Sequence, residues 1–168
     1  MNGAVQKGLL RNTFVRKHRM AVKMIRLGID LGKARTGLAI CDRQEMLAVP
    51  LCVVAERNPE KLLNVICAKI TETGAEMAVV GLPKNMDGSE GESAVSARAF
   101  AITLSEAARI SVDMQDERGT TVTAHNYLND TNTRGKKRKQ AVDTVAATVI
   151  LQSYLDMRRM RGMSPDRI

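Results

Sequence analysis

Residues 26–40, RLGIDLGKARTGLAI, constrain the fold of this chain more than any other stretch. β-forming residues flank Gly32 and Gly37, which predicts a strand, a glycine-bounded turn and a returning strand. Asp30 lies in the first of these strands, among alternating apolar residues that suit a central place in a sheet. A carboxylate near a core must be paired, hydrated or bound to metal, because leaving it uncompensated is costly. A turn aspartate would occupy the same position, so the acids elsewhere in the chain decide between these readings.

Residues 42–45 are polar and turn-like. Residues 46–54 form a third extended run, in which Pro50 marks an edge strand or a bulge. Three strands joined by short turns make an antiparallel meander. Asn58, Pro59 and Glu60 have the signature of a helix start: a capping side chain, a proline in the first turn and an acid against the dipole. Leu62, Leu63, Ile66 and Ile70 supply the apolar stripe of this helix and Gly74 its stop. Residues 75–83 read as a buried strand ended by Pro83. Residues 84–93 read as a flexible surface loop at its carboxyl end, where α/β sheets place ligands. Val95, Ala99, Ile102 and Leu104 predict a second helix over 93–108, and residues 110–115 a strand that ends in Asp116, Glu117 and Arg118. Thr120 and Thr121 predict a short helix through Leu128, followed by a loop. The final helix carries Val142, Val145, Ala146, Val149 and Ile150 on one face, with Asp143 in its first turn beside that face.

With 168 residues, 44% of them apolar and 26% charged, the chain has the composition of one globular domain. No apolar run approaches the roughly 20 residues that span a bilayer. The net charge of +8 is unevenly placed. Of the 26 bases, six lie in residues 1–23, which hold no acid, leaving 20 against 18 acids in the rest. Overall basicity is therefore weak evidence for nucleic acid, and local clusters count for more. The strongest in the body is Arg134 with Lys136, Lys137, Arg138 and Lys139. Residues 1–23 lack the apolar region and cleavage site of a secretory signal. With Met20 and Met24 just before the first strand, they read as a disordered basic extension or an upstream start. The expected organisation is this extension, a domain over 24–158 and a polar tail over 159–168.

Three cysteines without a Cys-x-x-Cys pair, and only two histidines, argue against a disulfide framework or a zinc site. They fit a reducing cytoplasm and leave a hard cation held by oxygen as the metal to expect. Two Phe, two Tyr and no Trp cannot build a base-stacking platform, so any nucleic acid would be recognised by backbone and shape.

Acids thus stand at the end of the first strand, at the end of the fifth and at the start of the last helix. Carboxylates gathered from such distant positions can bind Mg²⁺, which prefers octahedral oxygen ligands and retains water. Two such ions about 3.5–4 Å apart can activate water and stabilise the leaving oxygen in phosphodiester cleavage. The segments GIDLGKARTGLA, VVGLPKNMDGSEG, DERGTTVTA and KKRKQAVDTVAATVILQSYL, in this order and spacing, resemble the YqgF/RuvX family of the RNase H-like superfamily over residues 24–158. The resemblance implies an α/β, RNase H-like fold, a mixed five-stranded sheet of three antiparallel strands plus two parallel ones, flanked by helices. It also implies a nuclease using Mg²⁺ or Mn²⁺, with two ions expected. Such an enzyme would mature the 5′ end of pre-16S rRNA or resolve four-way DNA junctions.

Carried onto this sequence, the metal ligands and catalytic residues are Asp30, Glu117 and Asp143. Strand alternation points Asp116 and Glu117 to opposite faces, and the resemblance selects Glu117. Related junction resolvases place a glutamate on the fourth strand, where this chain has Val79-Val80-Gly81-Leu82, so the second acid comes here from the fifth. Gly119 stands where the family usually carries leucine or a similar residue, which loosens the turn. Lys84, Lys136, Lys137, Arg138 and Lys139 are candidates for a phosphate track. Arg118 has two readings, as a partner of Asp116 or Asp143 and as a contact to the scissile phosphate. The glycine-rich residues 87–91 lack the Gly-Lys-Ser/Thr ending of a P-loop and read as a nucleic-acid clamp. The expected partner is structured RNA, or else a DNA junction, with the small ribosomal subunit as a further partner and no membrane. Monomer and homodimer both fit, and symmetric junction cleavage would favour the dimer. Two other classes compete. Gly-Ile-Asp-Leu-Gly also resembles the first phosphate-binding turn of sugar kinases and actin-like ATPases, which need a longer, duplicated chain. A non-catalytic rRNA-binding module could retain the same acids.

Overall fold

The computed structural model describes residues 24–118 and 136–162, with side chains described for 24–118 and 145–162. Its elements are β1 (Arg26–Leu31), β2 (Thr36–Cys41), β3 (Ala48–Val54), α1 (Pro59–Thr73), β4 (Met77–Leu82), α2 (Glu92–Ala108), β5 (Ser111–Asp116) and α3 (Lys136–Gly162). They form one five-stranded sheet in the order β3-β2-β1-β4-β5. β1, β2 and β3 pair antiparallel, whereas β1 with β4 and β4 with β5 pair parallel, the mixed sheet expected from the sequence. β1 is therefore central, at the point where hairpin connections give way to crossovers, and the carboxyl end of such a strand is where open α/β sheets bind ligands.

Side-chain alternation divides the core in two. Leu27, Ile29, Leu38, Ala78 and Val80 face one side and pack under α1 and α2. Ala39, Cys41, Met77 and Val79 face the other and pack under α3. Local signals hold α1 in place. The Asn58 side chain accepts the Lys61 N–H at 3.0 Å, Pro59 opens the first turn, and Gly74 closes the helix in the left-handed region at φ 67°. Pro50 lies on the edge strand β3, where the register with β2 slips between Leu38 and Ala39.

Three sequence expectations need correction. On α2 the buried residues are Ala94, Ala97, Ala101 and Leu104, while Val95 and Ile102 are more than half exposed. The alanines win because they let the helix axis approach the sheet closely, which the larger side chains would prevent. On α3 the buried stripe runs through Ala147, Ile150, Leu151, Tyr154 and Leu155; of the residues expected there Val149 and Ile150 are buried, Val145 and Ala146 are only partly so, and the side chain of Val142 lies outside the described residues. The third correction concerns where α3 starts. Residues 136–139 are its first turn, so Asp143 lies about two turns inside the helix. Lys, Arg and Gln are good helix formers, and nothing after Gly135 stops the helix from reaching back to it. At its other end α3 runs on through Gly162, into the stretch expected to be a polar tail. The short helix predicted for 120–128 and the extension 1–23 lie outside the described residues. Among the described residues no helix is long and apolar enough to cross a membrane.

Candidate active site

One row of β1 faces α3. It consists of Arg26, Gly28 and Asp30, spaced by two as alternation requires. At the middle position the helix comes down onto the strand. A Cβ on Gly28 would stand 2.7 Å from Leu151 Cβ and 3.0 Å from the Ala147 carbonyl oxygen, so only glycine fits. Asp30 lies one step beyond this contact, half-buried, at the carboxyl end of the strand. The turn that follows is equally tight, since a Cβ on Gly32 would lie 2.3 Å from the Arg35 carbonyl oxygen.

The second acid arrives from the far side of β4. On β5, Val112 and Met114 pack toward α1 and α2, whereas Asp113 accepts the hydroxyl of Tyr154 on α3. Alternation then sends Asp116 to the α2 side and Glu117 to the α3 side. The Glu117 N–H donates to the Leu82 carbonyl at 3.2 Å and extends the β4–β5 ladder. Its carboxyl group lies across β4, so that a Cβ on Gly81 would fall 2.1 Å from Glu117 Oε1 and 2.7 Å from Ile150 Cδ1 of α3. Burial pushes the Glu117 carboxyl up to about 7, with further upward contributions from the negative charges of Asp30 and then Asp116. Asp116 itself is held below the usual carboxylate range, chiefly by hydrogen bonds from Arg118. Arg118 Nε and Nη2 grip it at 3.0 and 2.7 Å. Of the two adjacent acids, Glu117 is thus the one that meets Asp30.

The other candidates named from the sequence fall into two groups. Lys84 and Arg118 are placed by ion pairs at the carboxyl ends of β4 and β5. Lys84 lies 3.6 Å from Glu90, and the two residues bridge across the loop 84–90. That loop, read from the sequence as flexible, is folded on itself. Asn85 N–H donates to the Ser89 carbonyl, Gly88 turns at φ 87°, and Arg98 of α2 grips Glu90 with two hydrogen bonds that hold its carboxyl at about 2. The second group is Asp143 with Lys136, Lys137, Arg138 and Lys139. Their helical backbone is described but their side chains are not. Asp143 precedes Ala147 by four residues, one turn from the helix's contact with Gly28. Among the described residues no three acids, cysteines or histidines form a metal-holding group.

A sequence model of the RuvX family, described as Holliday junction resolvase, matches residues 24–157. The chain belongs to the RuvX family. A relative from Anaeromyxobacter sp. (strain Fw109-5) is 47% identical over 132 residues, covering 79% of this chain and 96% of its own. One from Clostridium beijerinckii is 42% identical over 131 residues, 78% of this chain and 95% of its own. One from Chloroflexus aggregans is 38% identical over 133 residues, 79% and 94% respectively. All three bear the name "Putative pre-16S rRNA nuclease". Among solved structures, Thermus thermophilus RuvC in complex with a Holliday junction substrate superposes with a TM-score of 0.55 at 13% identity, over 82% of this chain and 96% of that one. The fowlpox virus Holliday junction resolvase gives 0.50 at 12% identity, over 80% and 99%. At these identities the likeness concerns the fold alone, a mixed sheet flanked by helices of the RNase H-like kind.

Sequence reasoning reached Asp30 and Glu117 but passed over Gly81. The signal was present: a glycine inside a short, β-branched buried strand marks a close approach by another group.

Proposed function

We propose that this RuvX chain is a divalent-metal-dependent endonuclease acting on structured RNA at the 5′ end of pre-16S rRNA, with Asp30, Glu117 and Asp143 as its ligand set. The observation that carries this reading is the meeting of Asp30 and Glu117, two carboxylates brought together across an intervening strand, one of them pushed up to about 7. Carboxylates placed together in this way offer hard oxygen donors that a divalent cation can join. Their all-oxygen donor set suits Mg²⁺ or Mn²⁺, one ion or two, so the residues present fit the group that the family implies. When bound, such a cation polarises a phosphoryl oxygen and lowers the pKa of water at the site.

The chain's own residues do the rest. Asp30 and Glu117 bind in their ionised forms, and their mounting on neighbouring regions of one sheet limits how far either can move. Close contact of α3 with Gly28 fixes the helix against β1 one step before Asp30. Lys136, Lys137, Arg138 and Lys139 open the helix that carries Asp143, and there they hold substrate phosphates without reading sequence. Lys84 and Arg118 add positive charge at the same end of the sheet. In this reading residues 24–158 carry the activity, residues 1–23 are dispensable, and the enzyme works in the cytoplasm on precursors of the small ribosomal subunit.

The substrate follows from the names of the relatives, and the family's description favours a second reading, the four-way DNA junction. Cleavage of a pre-16S rRNA 5′ leader and of a four-way junction, assayed side by side in Mg²⁺ and Mn²⁺, separates them. Faster cleavage of the leader is expected. Preferential, symmetric cutting of the junction by a dimer selects the second reading. Tight RNA binding with no cleavage in either metal makes the chain a binding module.

A further inference from the structure

β1 and β5 are not neighbours. β4 lies between them, so their backbones are about 10 Å apart, and a carboxylate from one reaches a carboxylate from the other only by lying across β4. At the crossing point β4 presents no side chain. The space that a Cβ on Gly81 would fill is taken by the Glu117 carboxyl group, 2.1 Å away at Oε1 and 3.0 Å at Cδ, and Ile150 Cδ1 of α3 closes the space from above at 2.7 Å. The backbone at Gly81 gives no other reason for a glycine, since Gly81 is not among the positive-φ glycines, and a glycine in mid-strand weakens a sheet.

We infer that Gly81 is a positioning residue: the side chain missing from β4 is the slot through which Glu117 crosses from the end of β5 toward Asp30. This rests on the reading of Asp30 and Glu117 as metal ligands. A methyl group in the slot drives the carboxyl group off β4 and separates the two ligands, although it touches neither metal nor substrate. The competing explanation is helix packing alone, in which Gly81 serves only to admit Ile150.

Ile150→Val separates the two, because it removes the Cδ1 atom that a new Cβ would meet and leaves the encounter with Glu117 intact. The comparison is I150V against G81A/I150V, with Glu117→Gln as the ligand-loss reference. Mn²⁺ affinity is measured by calorimetry without nucleic acid, and the metal-free double variant is crystallised. G81A/I150V is expected to bind Mn²⁺ at least tenfold more weakly than I150V, close to E117Q, with the Glu117 carboxyl displaced from β4. An affinity equal to that of I150V overturns the inference while leaving the metal-site reading intact. So does a weakened affinity with Glu117 still lying over β4. Wild-type protein that binds no Mn²⁺ overturns the metal-site reading and this inference together. Should G81A/I150V fail to fold, the same pair is compared in a Glu117→Ala background, where adding the Gly81→Ala methyl is expected to leave the melting temperature unchanged. A large drop there assigns Gly81 to packing and overturns the inference.

Discussion

Arg26 and Asp30 stand four residues apart in one row of one strand, under one helix, and the protein surrounds them differently. Around Arg26, opposite charges and aromatic surface are gathered. Its guanidinium is 1% exposed, lies 2.7 Å from Glu45 and packs 5.6 Å above the centre of the Tyr154 ring. Arg158 approaches the same ring at 5.9 Å and Glu45 at 3.6 Å, while the Tyr154 hydroxyl donates to Asp113. At the Asp30 end, Glu117 is drawn across β4 against an existing carboxylate, and burial and negative charge push its carboxyl up. One end of the row is built to hold α3 on the sheet, whereas the other brings two acids together.

The contrast can be broken by substitution, and the largest effect is expected at Asp30. Asp30→Asn should slow metal-dependent cleavage by about a thousandfold or more, through loss of several kcal/mol of charge stabilisation. Its urea midpoint in EDTA should stay close to that of wild type, with the relieved repulsion of Glu117 acting in its favour. Single-turnover cleavage and urea unfolding check both parts. Arg26→Ala should do the reverse. Stranding Glu45 and emptying a buried site should cost about 3–5 kcal/mol in urea unfolding, with turnover per folded molecule retained.

A smaller effect is expected from pH. Glu117 has a folded-state pKa near 7 against an ordinary value of 4.5, so between these values the folded protein binds the extra proton. Metal-free stability should therefore fall as pH rises from about 4.5 to 7, by on the order of 2 kcal/mol once solvent screening is allowed for, and level off above. Glu117→Gln should abolish this slope and exceed wild type in stability at pH 8, as read by urea unfolding in EDTA at both ends of the range. The smallest change in stability is expected at Arg118, whose pair with Asp116 is 41% and 33% exposed. Arg118→Ala should barely move the urea midpoint, while lowering the salt slope of RNA binding by about 1.

Much of the candidate site was legible because it depends on short-range rules. Alternation on β1 set Asp30 apart, alternation on β5 separated Asp116 from Glu117, and Asn58 and Gly74 bounded α1. The helix faces were less legible. Side-chain hydrophobicity favours Val95 and Ile102 on α2, but the distance between helix and sheet favours Ala97 and Ala101. On α3 the contact at Gly28 turns the helix so that Ala147 and Leu151 face down. The Arg26, Glu45 and Tyr154 cluster joins residues from three distant stretches, and no local pattern announces it. Gly81 is similar, because its role depends on a side chain 36 positions further along the chain reaching over it.

Whether Asp30 and Glu117 bind a divalent cation together decides between a nuclease and a fold that merely carries two opposed acids. Calorimetric titration of Mn²⁺ into the nucleic-acid-free protein tests this most directly, with wild type, Asp30→Asn and Glu117→Gln compared at pH 8, above the value of about 7 to which the Glu117 carboxyl is pushed. Saturable binding by wild type, weakened at least tenfold in each variant, is the result predicted. Equal Mn²⁺ affinity in all three proteins, or no saturable binding by wild type, would contradict it.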